Sequence, residues 1–226
     1  MANGDGSGQV RVTNFNGSDL GDLQWSPDGR RLAFYGRVDT HSDIFSIDYD
    51  PATMRSGTPT RLVCGIKAEA PSWSGDGKFL YFASDRTGRW EVWKQPLSGG
   101  APRQITRNGG YASHESRDGK WLYFSRDRSD KIWRMPAGQA ASNTGWTEEL
   151  VIGPPYSVQQ KGWTVTAEEI VFIDLATAGR SPAIRVSYFD ETNSLDYPIR
   201  GAVCGPPRLC VIGFTGFAMG SVSATR

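Results

Sequence analysis

His41 and His114 are the two histidines of this 226-residue chain, and they bound what it could do by acid–base chemistry near neutral pH. His41 sits in RVDTHSD with no evident partner and reads as a solvated loop residue. His114 is followed by Glu115, and this pair is the one candidate binding site that residue type and spacing single out. HESRD is not the zinc motif HExxH, because Asp118 stands where the second histidine is required. A serine hydrolase would need a GxSxG elbow and a histidine to take the proton, and no such elbow occurs. There is no GxxxxGK[ST] loop, and the spaced glycines Gly4, Gly6 and Gly8 lie in a polar tail. Carboxylate pairs such as Asp85 with Glu91 and Asp127 with Asp130 could serve glycoside hydrolysis only at a set separation, whereas Asp in SDR and SRD is what a turn asks for. Cys64, Cys204 and Cys210 form no metal-ligand cluster, and Cys204 and Cys210, enclosing GPPRL, fit either a small disulfide loop or two free thiols. No catalytic residue, metal site or cofactor is therefore expected.

The elements that would position His114 and Glu115 come from a repeat. Its best copy is SWSGDGKFLYFASDRTGRWEVWKQPLSGG, Ser72 to Gly100: a short strand, an Asp-Gly turn, a second strand, a polar break and a third strand. Asp-Gly supplies the positive-φ residue of a tight hairpin, so the flanking apolar runs are antiparallel neighbours. LQWSPDGRRLAFYGRVDTHSDIFSID precedes it, and SHESRDGKWLYFSRDRSDKIWRMP and GWTVTAEEIVFID follow. Aligned on the second strand, Phe34, Phe82, Phe124 and Phe172 recur at intervals of 48, 42 and 48 residues, a period typical of solenoids, propellers and arrays. Fainter fourth strands fall near Arg61 to Val63, Arg103 to Thr106, Glu148 to Ile152 and Leu195 to Pro198. Four strands per repeat is the pattern of a propeller blade. With 27 glycines and 13 prolines and no helical apolar stripe, the fold class is all-β: a β-propeller of four-stranded antiparallel blades, about four of them present and the ring incomplete.

SPDGRRLAF, SGDGKFLYFASDR and SRDGKWLYFSRD resemble the WD-like repeats of TolB-type β-propellers, over roughly Gln9 to Ile199. Such propellers occur in prolyl-oligopeptidase-type peptidases and beside the winged-helix domain and membrane span of some bacterial transcriptional regulators. The order SWSGDGKFLYFASDRTGRWEVWKQP, then YASHESRDGKWLYFSRD, then GWTVTAEEIVFID looks like the sensory propellers of those regulators. The resemblance implies a non-catalytic binding or protein-interaction module, the sensory part of a larger bacterial protein, with a protein or small ligand at the propeller face or channel. The rival implication is the propeller of a prolyl-oligopeptidase-like serine peptidase without its hydrolase domain. If the first holds, the protein works in the periplasm or otherwise outside the cytoplasm.

Taken in order, residues 1–8 read as a disordered tail, 9–200 as the blades and 201–226 as a divergent tail, an incomplete fifth blade or irregular chain. QVRVTNF, Gln9 to Phe15, alternates as a strand does. In blade two, Trp73, Leu80, Phe82, Val92 and Ile105 are expected to face neighbouring sheets, with Tyr81, Trp90 and Trp93 open between the two faces. Blade three carries Glu115 where the earlier copies have Trp25 and Trp73. A carboxylate there is expected to point into the wet central channel, where propellers often bind ligands, and to matter little for stability.

The formal net charge of +1 drives the chain toward neither nucleic acid nor a membrane surface. Arg86 to Arg134 holds 11 Lys and Arg against 5 Asp and Glu. Without evidence that these residues share a face with stacking aromatics, they read as solvated, and no direct nucleic-acid binding is expected. No apolar run is long enough to span a bilayer. MANGDGSGQV lacks the basic and apolar regions of a secretory signal, so either the protein stays inside or the chain is a piece of something longer.

Overall fold

The computed structural model describes residues 7–65, 67–138, 148–167, 169–175 and 182–189, and the backbone of 194–197. The divergent tail 201–226, with Cys204 and Cys210, and most of the N-terminal tail lie outside the described residues.

The Ser-x-Asp-Gly turn is built three times to one plan. The hydroxyl of Ser26, Ser74 or Ser116 donates to Oδ1 of Asp28, Asp76 or Asp118 at 2.5, 2.6 and 2.6 Å. The same Oδ1 accepts the amide of Arg30, Lys78 or Lys120 at 3.0, 3.0 and 3.1 Å, and the serine oxygen accepts the amide that opens the next strand. Gly29, Gly77 and Gly119 close the loop at φ of 67°, 67° and 70°, where a Cβ would crowd the following carbonyl. Hydrogen bonding from the serine, then from the backbone, holds all three aspartates below the ordinary carboxylate pKa. The fourth copy replaces this device with a shorter turn, in which the amides of Thr166 and Glu169 are satisfied within the loop.

These turns join four antiparallel sheets, each ordered as the chain runs. Blade one contains β1 (Leu20–Trp25), β2 (Arg31–Val38), β3 (His41–Asp50) and β5 (Thr60–Val63), with the two-residue β4 (Arg55–Ser56) on the far end of β3. Blade two is β6 (Ala68–Trp73), β7 (Phe79–Ser84), β8 (Glu91–Pro96) and β9 (Arg103–Gln104). Blade three is β10 (Ser113–Glu115), β11 (Trp121–Ser125), β12 (Ile132–Pro136) and β13 (Glu149–Ile152); blade four is β14 (Val158–Val165), β15 (Glu169–Asp174), β16 (Ala183–Tyr188) and β17 (Ser194–Tyr197). The innermost strands β1, β6, β10 and β14 meet in succession around one axis, so the described residues form four blades of a β-propeller.

The second strands of blades two and three are buried on both faces, so their side chains serve two interfaces, whereas in β15 Ile170, Phe172 and Asp174 are buried and Glu169, Val171 and Ile173 only half-buried. Leu80 and Phe82 pack with Ala33, Ile44 and Val63 of blade one. Tyr81, between them in sequence, points the other way, to Leu122 and Phe124 of blade three, as the two-residue period of a strand requires. Tyr123 and Ile132 then meet Trp163, Ile170 and Phe172 of blade four. The four register phenylalanines 34, 82, 124 and 172 are all buried at matching places. Asp85 and Glu91, adjacent acids in sequence, part company: Asp85 pairs with Lys67 at 3.2 Å, while buried Glu91 takes the Thr106 hydroxyl at 2.6 Å and the Arg89 guanidinium at 2.7 Å. Glu91 thereby fastens the exit of blade two.

Gln9 to Phe15 is not a strand. Among the described residues it joins no ladder, and Phe15 sets its ring edge-on to Phe34 and Phe45, at 5.5 and 4.8 Å, and covers the outer face of blade one. Apolar burial at a single position outweighs backbone pairing there.

Trp73 is buried and its indole N–H donates to the Gln24 carbonyl across the blade interface at 3.0 Å, whereas Trp25, at the same repeat position, is half-buried against Tyr49. Trp73→Ala should cost roughly 3–5 kcal/mol in urea melts, the usual penalty for a buried large aromatic. Trp25→Ala should cost clearly less, and equal losses would contradict the packing described.

Candidate functional site

All four innermost strands break their ladders at one level. From Gly21 to Gln24 β1 advances three residues while β2 advances two, and β6 does the same between Glu69 and Ser72. In blade three both Tyr111 and Ala112 bond to Ser125, and β14 carries a longer irregularity between Val158 and Trp163. Bulges of this kind re-aim side chains. Here they place Asp22 at φ 52° and Ala70 at φ 49° and turn titratable groups from four blades toward the axis.

Asp22 Oδ2 accepts the Ala70 amide at 3.1 Å and the Lys161 ammonium at 2.8 Å, joining blade one to blades two and four. Glu69 Oε2 lies 3.8 Å from the same ammonium and accepts the Tyr111 hydroxyl, while its Oε1 accepts the Ser42 hydroxyl at 3.5 Å. The rings of Tyr35 and Tyr111 stand 5.3 and 5.1 Å from Lys161 Nζ. Tyr35 can lie flat on β1 only because residue 21 is glycine: a Cβ there would come within 2.5 Å of its ring. Burial pushes both tyrosine pKa values up, and for Tyr111 the bond to Glu69 adds to it, so both hydroxyls remain donors. The arrangement is a cage of two carboxylates and two aromatic faces, with a lysine ammonium in it.

His114 and Glu115 are not brought together. Neighbours on a strand face opposite ways, and His114 sets its ring edge-to-face on Trp163 of blade four at 4.8 Å. Burial pushes its pKa down to about 4, against a weaker opposing effect of a hydrogen bond to the Trp163 backbone. Glu115 turns to blade two, not to the axis. Its side chain is 8% exposed and accepts the Tyr81 hydroxyl at 2.5 Å and the Gly75 amide at 3.0 Å, with Lys94 Nζ at 3.8 Å. It forms one wall of a groove of about 380 Å³ between blades two and three, lined also by Lys94, Arg117 and the Asp76 and Asp118 turns. His41 is exposed beside Thr40, and among the described residues no group of His, Cys, Asp and Glu could hold a metal ion.

The axial residues escaped sequence reasoning, although one signal was present. Glu69, Tyr111 and Lys161 each stand four residues before the end of their inner strand, at Trp73, Glu115 and Val165. Three polar residues at one repeat position, next to the axis, mark it as more than core.

The sequence profile of the family described as the TolB beta propeller domain matches residues 5–148, well over half of the chain. The chain belongs to that family. Its TolB-type propeller also superposes on a TolB candidate from Agrobacterium tumefaciens, with TM-score 0.66 and 20% identity, covering 82% of this chain and 67% of that one. For TolB from Acinetobacter baumannii the values are 0.61 and 20%, over 79% and 43% of the two chains. A puromycin hydrolase S511A mutant gives 0.62 and 15%, over 84% of this chain and 30% of its own. At these identities the likeness is one of fold. In sequence, the uncharacterized protein Atu1656 of Agrobacterium fabrum is 39% identical over 83 residues, which are 36% of this chain and 27% of that protein. The TolB-type propeller described here thus spans about a quarter of that relative.

Two outcomes test this geometry. Glu115→Ala leaves a buried tyrosine hydroxyl and a backbone amide without their acceptor, so it should cost about 1–3 kcal/mol, and a change in urea midpoint too small to resolve would return the carboxylate to solvent. His114 binds its proton in the unfolded chain near its ordinary 6.5 but in the folded chain only near 4. The stability it contributes is complete above pH 6.5 and is lost as pH falls from there toward 4. His114→Phe keeps a ring on Trp163 and should flatten the fall in urea midpoint between pH 7 and 4.5; an unchanged slope would place the imidazole in water.

Proposed function

We propose that this chain is a non-catalytic binding module that works through the axial face of its propeller, as the sensory or docking part of a larger bacterial protein acting outside the cytoplasm. The observation that carries this reading is the convergence of Asp22, Glu69, Tyr111 and Lys161 from four separate blades on one point of the axis. The resemblance to regulator propellers supports the sensory role, and the TolB-type fold supports a protein as partner. Catalysis fits the geometry poorly: an imidazole with a pKa of about 4 is a weak base at neutral pH, and the carboxylates on the axis are engaged by a lysine and a tyrosine.

The fold it shares with puromycin hydrolase favours a second reading, the propeller of a serine peptidase that gates a hydrolase domain. The coding sequence around this segment separates the two: a winged helix upstream supports the regulator, a GxSxG domain downstream the peptidase.

The binding role is tested with a photo-crosslinking residue at Leu23, exposed on the innermost strand beside Asp22, and at Met54, exposed on the outer edge of blade one. In the native host, protein adducts are expected from position 23 and not from 54. Adducts from 54 alone, or turnover of peptides or esters by the purified chain that is lost on replacing one of its serines, would overturn it.

A further inference from the structure

We propose that the axial cage is a receptor for a primary ammonium group, and that Lys161 is its built-in occupant, displaced when such a group arrives from a ligand. The inference rests on the reading of the axial face as the binding face and names the chemistry it takes.

The carboxylates are the fixed part of the cage and the lysine is the exchangeable part. Asp22 is held by the Ala70 amide, and Glu69 by the Tyr111 and Ser42 hydroxyls, so both remain aimed at the axis whether or not Lys161 is there. Their side chains are 19% and 17% exposed against 36% for Lys161. Two carboxylates face one ammonium, which leaves the cage with a net negative charge even when occupied. The 2.8 Å contact to Asp22 and the two tyrosine faces at 5.1 and 5.3 Å are the recognition elements of an alkylammonium: a charge-assisted hydrogen bond to one carboxylate and aromatic surface beside the cation. A guanidinium would need a planar fork of acceptors, whereas one oxygen of each carboxylate faces this point. Because the occupant is tethered, it competes with a ligand at high effective concentration. Removing its charge should therefore raise the cage's affinity for a free amine.

The test uses n-butylammonium as probe, followed by NMR with the Ala70 amide as reporter, in the wild-type chain and in Lys161→Met, which keeps the apolar stem. Lys161→Met is expected to bind at least tenfold more tightly than wild type, and Asp22→Asn added to it should return binding to the wild-type level. Tetramethylammonium, which has no N–H to donate, should bind several-fold more weakly than butylammonium. Equal affinities in wild type and a folded Lys161→Met, or no effect of Asp22→Asn, overturn the proposal. Should Lys161→Met not fold, Lys161→Gln carries the same comparison, and displacement of the wild-type Lys161 side-chain resonance by the amine reads the exchange directly. A lysine tripeptide with blocked ends and cadaverine form two further arms: preference for the peptide identifies a polypeptide lysine as the source of the ammonium, preference for cadaverine a free amine. If amines fail here while Leu23 still crosslinks, the cage falls and the binding module stands; if amines bind and Leu23 is silent, the cage stands and its place in a protein interface falls.

Discussion

Burial of the two middle sheets on both faces is the constraint from which the rest of this fold follows. A second strand such as Phe79–Ser84 has no polar face to offer water: Leu80 and Phe82 belong to one interface and Tyr81 to the next. Sheets of that kind must be stacked face to face, and the native twist of strands turns a stack into a ring about an axis. The Ser-Asp-Gly turns serve the same end. By satisfying their own amides they let the first and second strands of a blade reverse direction without a long loop, which keeps each blade narrow enough to fit between its neighbours.

Three arginines of the basic stretch from Arg86 to Arg134 lie against aromatic rings of the blades. Arg86 lies over Trp93 at 4.2 Å, Arg126 over Trp133 at 4.1 Å and Arg134 over Trp121 at 4.4 Å. The cations therefore cover aromatic faces of the chain itself, contacts worth about 0.5–1 kcal/mol each where exposed. Arg86 and Arg126 follow the second strands of successive blades, so this cation–aromatic contact recurs in blades two and three.

What could be read from the sequence was whatever one blade determines alone. Asp-Gly turns, alternating strands and the register of the four phenylalanines depend on residues within a few positions of each other, and all of them are found where the repeat places them. The failures lie where distant segments decide. Gln9 to Phe15 alternates properly but joins no ladder among the described residues. Glu115 occupies a tryptophan's place, yet its direction is fixed by the Tyr81 hydroxyl 34 residues earlier. The axial cage was hidden for two reasons: its members are 139 residues apart at the extremes, and a bulge shifts the in–out alternation by one residue, so the pattern that marks every other strand position misassigns these.

Magnitudes decide whether the axial bulges are there for stability. Ala70 at φ 49° carries the left-handed penalty of an ordinary L-residue, about 1–2 kcal/mol, and Asp22 at φ 52° carries a smaller part of it. The Lys161–Asp22 pair they make possible is partly exposed, and such pairs contribute about 0–1 kcal/mol. Glu69 and Tyr111 add a charge-assisted hydrogen bond, but burying the carboxylate offsets part of that gain. The strain is thus at least as large as the ion pair alone, and it is offset only when the charge-assisted bonds from the Ala70 amide to Asp22 and from the Tyr111 hydroxyl to Glu69, about 1.5–3 kcal/mol each, are counted with it. Backbone strain concentrated where four blades meet thus goes together with a set of interblade bonds to two carboxylates, and it is this coupling of strain to polar groups that supports the proposed binding role of the axial face.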